Sequence, residues 1–267
     1  MKRLTRSLRN PDGGIRPTDL EIVFTDEDFV VVNKPSGLLS IPDRFRKHLL
    51  NLHDLLSQRF AKVHPVNRLD RDTSGLVVFA RNSEANVDLS DRFARQEIQK
   101  TYLALVKGEM PNDEGVIDAP IGEHPDQPGL MKIDRKTGKP AVTEYRVVER
   151  FKGLTLIEAK PRTGRQHQIR VHLAHIGFPL AVDSDYGGAG SILLSAFKKS
   201  YKPGKEGESP LIGRLSLHSW KLSFHHFRRN DALELIAPLP RDFEVALKQL
   251  RKYAAKTMST QEIPDDE

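Results

Sequence analysis

The sequence predicts an α+β fold, built on a mixed and largely antiparallel central sheet with flanking helices. The first observation is a series of short apolar runs that are rich in β-branched residues and bounded by turn residues. The second is a smaller number of segments whose apolar residues recur at helical spacing. The third is that strands and helices do not alternate regularly, as they would in a doubly wound parallel sheet.

Apolar runs and turn signals place the strands along the chain. Residues 22–24 and 29–32 flank an acidic turn and predict a β-hairpin. The stretch 107–140, which is rich in Gly, Pro and Asp, predicts loops and a further hairpin. The remaining predicted strands lie at 76–80, 101–106, 143–148, 155–159, 215–217 and 232–236.

Helical spacing and capping residues predict the helices. Ser83 is expected to be an N-cap, with Val87 and Phe93 of its helix facing the core. Gly177 stands where a helix C-terminus favours a residue with positive φ. The predicted helices cover 47–60, 84–97, 166–176 and an amphipathic segment that begins after Asp242.

Composition describes a globular protein and excludes several kinds of chemistry. The 267 residues include 29% charged and 38% hydrophobic side chains, and no apolar run approaches the roughly 18 residues of a membrane span. The absence of cysteine excludes disulfides, thiolate nucleophiles and Cys-ligated metals, and it leads us to expect the reducing cytoplasm. The net charge of +6 is compatible with a phosphate-bearing partner.

We expect one domain over residues 19–255, between a basic arm (1–18) and an acidic tail (256–267). The arm lacks the apolar segment of a secretory signal; it either contacts nucleic acid or is solvated, and organelle targeting stays open. The polar stretch 198–210 is predicted to be a mobile insertion, whose lysines either contact a polyanion or are solvated.

The segment 64–76 carries more polar residues than a fold requires. Asp70 lies between Arg68 and Arg71, in a loop that leads into a buried strand. Neighbouring guanidinium groups keep a carboxylate ionised, and an ionised carboxylate can act as a nucleophile or a general base. The alternative is a structural turn in which an Asp side chain caps the backbone that follows.

The segment 161–173 contains three arginines, at 162, 165 and 170. Arg165 is predicted at the N-terminal end of a helix, where backbone N–H groups favour anions, and Arg170 lies one turn inside. Guanidinium groups match carboxylates and phosphates, so one arginine could pair a catalytic carboxylate while others hold phosphates. An ordinary solvated basic helix face is the alternative.

Other motifs do not fit. The phosphate-binding P-loop is absent, and the glycines at 187–190 lack dinucleotide-binding spacing. His167, His172 and His175 could suggest zinc, but no HExxH pattern and no nearby carboxylate supports a site. Ser74 with Asp70 and His64 lacks the GxSxG context of a hydrolase.

Five blocks resemble a known family. Residues 67–76 are similar to the HRLDxxTSGL motif of the RluA-type RNA pseudouridine synthases, and 162–173 with 183–187 resemble that family's second signature. Residues 32–38, 100–104 and 138–145 resemble further family blocks, in family order over about 20–240. Asn67 departs from the pattern, because the family usually has His there.

The resemblance implies a pseudouridine synthase fold with a central RNA-binding cleft, and isomerisation of uridine to its C-glycoside without metal or organic cofactor. The family aspartate falls on Asp70, which would attack the flipped-out uridine at C1′ or C6. Tyr102 would stack on the target base and assist proton removal at C5. Arg170 would pair with Asp70.

Three further residues take implied roles in substrate binding. Arg68 would help to displace the target nucleotide, Arg165 would contact RNA or local structure, and Ile169 would pack under the uracil. The expected partner is an rRNA or tRNA stem-loop, with a slight preference for dual specificity, and the protein is expected to be a monomer without membrane attachment. No S4 domain is expected, because the segment before Glu21 is short. A non-catalytic RNA-binding protein and a small-molecule enzyme remain alternatives.

Overall fold

A computed structural model describes residues 15–255 of the chain. Its helices are α1 (Leu52–Ser57), α2 (Ser83–Ala94), α3 (Gln168–His175) and α4 (Arg241–Tyr253). Its strands are β1 (Glu21–Thr25), β2 (Phe29–Lys34), β3 (His64–Pro65), β4 (Ser74–Ala80), β5 (Gln99–Lys107), β6 (Glu114–Asp118), β7 (Ile121–Glu123), β8 (Met131–Ile133), β9 (Val142–Phe151), β10 (Leu154–Pro161), β11 (Leu217–His225) and β12 (Ala232–Ile236).

One large sheet organises this part of the chain. Its ten strands follow the order β1-β2-β4-β11-β5-β10-β9-β6, with β12 paired to β11 and β3 paired to β4. Among the described strand pairs, β4 and β11 run parallel and the others run antiparallel. The α+β class with a mixed, largely antiparallel sheet is therefore confirmed. Strands β7 and β8 form a separate hairpin within the segment for which loops and a hairpin were predicted.

Strand β4 is buried on both faces, because a helix covers each of them. Val77 and Phe79 pack in a cluster with the leucines of α1, whereas Leu76 and Val78 pack with Leu89 of α2 and its neighbours. Successive side chains of a strand point to opposite faces, so a continuous apolar run satisfies both clusters. The chain reaches this rigid strand directly after the loop that contains Asp70.

Helix α3 packs on the other half of the sheet. Ile169 and Leu173 lie one turn apart and contact a cluster that includes Ala104 and Ile157 of β5 and β10. The helix ends as predicted at Gly177, whose φ of 86° is accessible to glycine without steric cost. The polar segment before α3 is thereby held over the centre of the sheet, opposite the loop that contains Asp70.

Several local predictions need correction. Helix α1 begins at Leu52 rather than at 47, because the side chain of Asn51 accepts the N–H of Asp54 and caps it there. Asn82, not Ser83, caps α2. Val87 was expected to face the core but is 69% exposed, because the side of α2 that faces the sheet is the one that carries Ala85 and Leu89.

The predicted acidic tail 256–267 lies outside the described residues. So do residues 1–14 of the predicted basic arm 1–18. Within the arm, Ile15 already packs against an apolar cluster. The mobility of 198–210 stays a prediction, although Glu208 accepts the N–H of Ser195 at 2.8 Å. None of the helices described between residues 15 and 255 is long and apolar enough to cross a bilayer.

Candidate active site

A cleft of about 700 Å³ lies between the two motif segments. Asp70, Tyr102 and Ile169 all line it. A second cavity, of about 450 Å³, shares Asp70, His167 and Arg170 with the first. Asp70 therefore lies where the two cavities meet, with 26% of its side chain exposed. The cleft is also lined by Asn67, Arg68, Leu69, Thr73, Phe93, Lys100, Arg162, Arg165, Gln168 and Leu217.

Lys34, at the end of β2, holds the loop that carries Asp70. Its ammonium group is fully buried and donates to the carbonyl oxygens of Pro35, Leu38 and Arg71 at 2.7–3.0 Å. Burial lowers the pKa of Lys34 to about 7, while the nearby carboxylates of Asp72 and Asp70 act in the opposite direction. The sequence motif contained this lysine, but its part in shaping the site could not be inferred there.

A second set of contacts fixes the backbone on the other side of Asp70. The hydroxyl of Ser40 donates to the carbonyl of Leu69 at 2.9 Å and accepts the Leu69 N–H at 3.0 Å. Asn67, which replaces the family histidine, accepts the N–H of Val78 through its side-chain oxygen. The Asp70 carbonyl accepts the N–H of Thr73 at 3.2 Å. The carboxyl group thus projects from a loop whose main chain is held at several points.

Gly75 allows the loop to enter the sheet. Its φ is +113°, and a Cβ built on it would lie 2.1 Å from the carbonyl oxygen of Ser219 in the parallel neighbour β11. A residue with a side chain would force β4 and β11 apart. Ser219 of β11 pairs with Gly75 on one side and with Tyr102 of β5 on the other. Only β11 therefore separates Tyr102 from the strand that follows the Asp70 loop.

Tyr102 supplies an aromatic surface inside the cleft. Its ring packs against two apolar clusters, that of α1 and that of α3, and its hydroxyl interacts with the side chain of Ser219. Burial raises the pKa of Tyr102 to about 12, the Ser219 hydrogen bond opposes this, and the charge of Asp70 adds to it. The phenol therefore stays protonated near neutral pH.

The expected ion pair between Arg170 and Asp70 is wrong. The Arg170 guanidinium holds both carboxylate oxygens of Asp183 at 2.7 Å and one oxygen of Asp185 at 2.7 Å. It also lies 4.7 Å from the centre of the Tyr186 ring. Burial lowers the pKa of Arg170, but the bonds to Asp183 and Asp185 outweigh this effect and raise it. The guanidinium of Arg170 therefore pairs with the two carboxylates that follow α3 and not with Asp70.

Among the described residues, His167 is the basic side chain that lies within 4.0 Å of the Asp70 carboxylate. Its Nε2 lies 3.9 Å from Asp70 Oδ2, and its Nδ1 lies 2.8 Å from the hydroxyl oxygen of Tyr186. The sequence pattern around this histidine could suggest a zinc ligand and indicates no other role for it. The nitrogens of His172 are directed elsewhere, to Thr143 and to the Ala119 carbonyl, so the two histidines do not converge.

Gln168 fastens the second motif to the sheet. Its buried amide donates to the Val142 carbonyl and to Thr143, and its oxygen accepts from Thr163 and from the N–H of Arg165. All four bonds are 2.7–3.0 Å long. The amide is thus fully satisfied, which fixes the turn that carries His167.

The three predicted substrate-binding residues reach the cleft by different means. Arg68 is exposed at its edge and forms no ion pair within 4.0 Å among residues 15–255. Arg165 is exposed and donates from its Nε to the Pro140 carbonyl, so this nitrogen already has a partner. Ile169 is 6% exposed and packs in the same apolar cluster as Tyr102. The structure brings all three to the cleft that contains Asp70.

The hydrolase alternative loses its geometric basis. Ser74 contacts His218, at 2.9 Å from its Nδ1, rather than His64. Both side chains are buried, at 1% and 0% exposure. Burial lowers the pKa of His218 to about 4, with a smaller opposing effect from the Ala237 backbone. A substrate could not reach this pair, which instead joins β4 to β11.

Comparison with known proteins agrees with the geometry. Residues 28–175 match the family described as RNA pseudouridylate synthase. The chain is 38% identical to ribosomal large subunit pseudouridine synthase D of Nitrosomonas europaea, over 90% of this chain and 68% of that protein. It is 35% identical to the dual-specificity RNA pseudouridine synthase RluA of Vibrio vulnificus, over 83% and 85% of the two chains.

Solved structures lead to the same family. The fold is similar to that of human RNA pseudouridylate synthase domain containing 4, with a TM-score of 0.67, 26% identity and coverage of 86% and 93%. Human RNA pseudouridylate synthase domain containing 1 gives a TM-score of 0.64 at the same identity, with coverage of 90% and 87%. A matching family profile, relatives over most of the chain and a shared fold together show that this chain belongs to the RNA pseudouridine synthases, which are isomerases.

Proposed function

We propose that the protein isomerises specific uridines of structured RNA, with Asp70 as the nucleophile. The observation that carries the proposal is the position of this partly exposed carboxylate, at the junction of two cavities and beside the Tyr102 ring. Attack at C1′ or C6 of the nucleotide lets the N1–C1′ bond break and a C5–C1′ bond form. The proton lost from C5 is balanced by one gained at N1, so the reaction consumes no second substrate.

The target nucleotide must leave its stack before the cleft can act on it. Base flipping costs a few kcal/mol, which contacts to the backbone and the base must offset. Arg68, exposed and without an ion pair in the described chain, is the residue we assign to the vacated position in the RNA. Tyr102 and Ile169 would sandwich the uracil, and Arg165 would contact the flanking backbone. Arg170 would act from behind the site, by ordering the acidic loop that follows α3.

The loop between Ser40 and Asn51 is proposed as a second RNA contact. It starts after Ser40, whose hydroxyl holds Leu69, and it returns at Asn51, which bridges to Leu39. At its tip, Phe45 is 87% exposed, and the side chain of Asp43 accepts the N–H groups of Phe45 and Arg46. Because Arg44, Arg46 and Lys47 outnumber Asp43, the loop is cationic. An exposed ring among cations is suited to stacking on an unpaired base next to phosphates.

The RNA class is proposed from the relatives. One is named for the large ribosomal subunit and another for dual specificity, so ribosomal RNA is the first target to test and transfer RNA the second. The catalytic unit is proposed to span residues 19–255 and to act as a cytoplasmic monomer. Binding of either RNA should weaken steeply with salt, because cationic side chains displace counterions from phosphates.

The proposal is tested by mapping pseudouridine in RNA from cells that lack this gene, after incubation with the purified protein. Wild-type protein is expected to restore defined pseudouridines, whereas Asp70→Asn is expected to restore none while it binds the RNA with unchanged affinity. Asp113→Asn is the matched control, because Asp113 is 84% exposed and pairs with Arg150 on the far edge of the sheet. Isomerisation by Asp70→Asn at the wild-type rate would refute the nucleophile.

A further inference from the structure

The geometry points to His167 as a positioning residue for Asp70: a neutral imidazole, held in one tautomer by Tyr186, that donates from Nε2 to the Asp70 carboxylate when RNA is bound. This inference rests on the proposed role of Asp70 and adds a residue that the second motif contained without an assigned function. It names which oxygen of Asp70 is held and which is left for the substrate.

The tautomer follows from the hydrogen bonds of Tyr186. Its hydroxyl oxygen accepts the backbone N–H of Met131 at 2.8 Å and lies 2.8 Å from His167 Nδ1. Since it accepts one hydrogen bond from Met131, we assign the hydroxyl proton to the bond with Nδ1, so that the Tyr186 hydroxyl accepts once and donates once. A ring that accepts at Nδ1 carries its proton on Nε2. Nε2 is the nitrogen nearest to Asp70 Oδ2, at 3.9 Å, which is longer than a hydrogen bond, so the two groups must approach each other in the RNA complex for the bond to form.

The surroundings of the ring favour its neutral form. Its side chain is 14% exposed. Burial lowers the pKa of His167, and the charge of Arg170 acts in the same direction, against the opposing effect of Asp70, Asp183 and Asp185. A neutral Nε2–H donor holds a carboxylate without cancelling its charge. Asp70 therefore keeps the negative charge that a nucleophile needs, while its second oxygen stays free for the substrate.

The backbone at His167 shows that the ring is placed at some cost. His167 has φ 53° and ψ 19°, the left-handed conformation that most side chains disfavour, immediately before the first turn of α3. The segment before it is fixed by the amide of Gln168. A strained conformation that persists in such a fixed turn indicates a functional constraint on where the side chain points.

Two substitutions separate this role from a backbone role. In His167→Gln, the amide nitrogen can take the place of Nε2 and still donate to Asp70. In His167→Asn, the shorter amide reaches only the position of Nδ1, although Asn tolerates the left-handed conformation better than Gln does. A positioning donor predicts that the Gln variant is more active than the Asn variant. A residue needed only for its backbone conformation predicts the reverse order.

The measurement is single-turnover pseudouridine formation and RNA affinity for the wild type, His167→Ala, His167→Asn, His167→Gln, Tyr186→Phe and the double variant His167→Ala with Tyr186→Phe. We expect the Ala and Asn variants to react about 10- to 100-fold more slowly with unchanged affinity, which is the factor that a hydrogen bond to a charged group supplies. The Gln variant should recover most of the rate. Tyr186→Phe keeps the ring beside Arg170 but frees the tautomer, so its loss should not add to that of His167→Ala.

The outcomes distinguish this inference from the proposed function. Activity in the Asn variant equal to or above that in the Gln variant, or additive losses for Tyr186 and His167, would overturn the positioning role while the wild type still made pseudouridine. If the wild type forms no pseudouridine in any RNA offered, the proposed function fails first. Circular dichroism and thermal unfolding of each variant show whether a slow variant is folded.

Discussion

Arg170 binds Asp183 with two hydrogen bonds, from Nε and Nη2 to the two carboxylate oxygens, each 2.7 Å long. Both side chains are buried, at 8% and 1% exposure. A buried guanidinium that is paired with carboxylates holds the segments that carry them together. If it loses its partner, the uncompensated buried charge destabilises the folded state. The pair therefore connects α3 to the acidic loop and to Tyr186, which contacts both Arg170 and His167.

Asp183 and Asp185 should differ in their contribution to stability. Asp183→Asn removes the buried charge that faces Arg170 and should lower the free energy of unfolding by about 2–4 kcal/mol. Asp185→Asn is the matched control, because its carboxylate is 45% exposed and should contribute less than about 1 kcal/mol. Urea unfolding of both variants measures the difference, and equal losses would show that burial of the pair does not govern its strength.

Gly75 should be irreplaceable even by alanine. Its added Cβ would collide with the backbone of β11, and its φ of +113° is strained for any other residue. Gly75→Ala is expected to lose about 3 kcal/mol or more of unfolding free energy, since backbone cannot move aside as a side chain can. Gly204→Ala is the control, because a Cβ there meets nothing within 4 Å. A Gly75→Ala protein as stable as the wild type would contradict the close strand approach.

The loop that carries Phe45 should affect the affinity for RNA and not the rate of isomerisation. Phe45→Ala is expected to weaken binding of structured RNA by about 1–3 kcal/mol, which is the range for one base stacked on an aromatic ring. The single-turnover rate at saturating RNA should not change. Val116→Ala provides a comparison, since Val116 is 64% exposed on the distant edge strand β6. Filter binding and single-turnover assays measure the two quantities, and a change in rate alone would contradict this role.

Stability should depend on pH through His218. Its folded-state pKa is about 4, below the ordinary 6.5, because it is buried. Between these values the unfolded chain binds more protons than the folded one, so stability is complete above pH 6.5 and is lost as the pH falls towards 4. The slope from this one group is at most about 1.4 kcal/mol per pH unit.

The variant His218→Asn isolates that effect, because it can keep a polar contact to Ser74 but cannot take up a proton in this range. Urea unfolding at several pH values should show the wild-type curve falling more steeply than that of the variant between pH 6.5 and 4. Parallel curves would mean that His218 is already protonated or solvated in the folded state.

Much of the sheet could be predicted because its signals are local. Strands β2 and β4 are apolar runs between turn residues, and the glycine at 177 ends α3 where it was expected. Strand β11 was predicted too short, at 215–217, because its polar residues outnumber its apolar ones, which contact three separate clusters. Its length depends on β5 and β12, with which it pairs along most of its residues.

The sequence predicts which residues line the candidate site, but it does not predict which of them contact each other. Asp70, Tyr102 and Ile169 were singled out from motifs, and they line one cleft. Arg170 pairs with carboxylates 13 and 15 residues further along rather than with Asp70, since the outcome depends on the path of the loop after α3. His167 acquires its geometry from Tyr186, 19 residues away, which a single histidine in a motif does not reveal.

The central claim is that the Asp70 carboxyl group meets an everted uridine inside the cleft. The most direct test is the crystal structure of Asp70→Asn bound to an RNA that contains the mapped target uridine. The account predicts a nucleotide turned out of its stack, its ring against Tyr102, and C1′ or C6 within about 3.5 Å of the substituted side chain at position 70, as a near-attack geometry requires. A target uridine that stays stacked in the RNA, or that is bound away from Tyr102 and position 70, would contradict it.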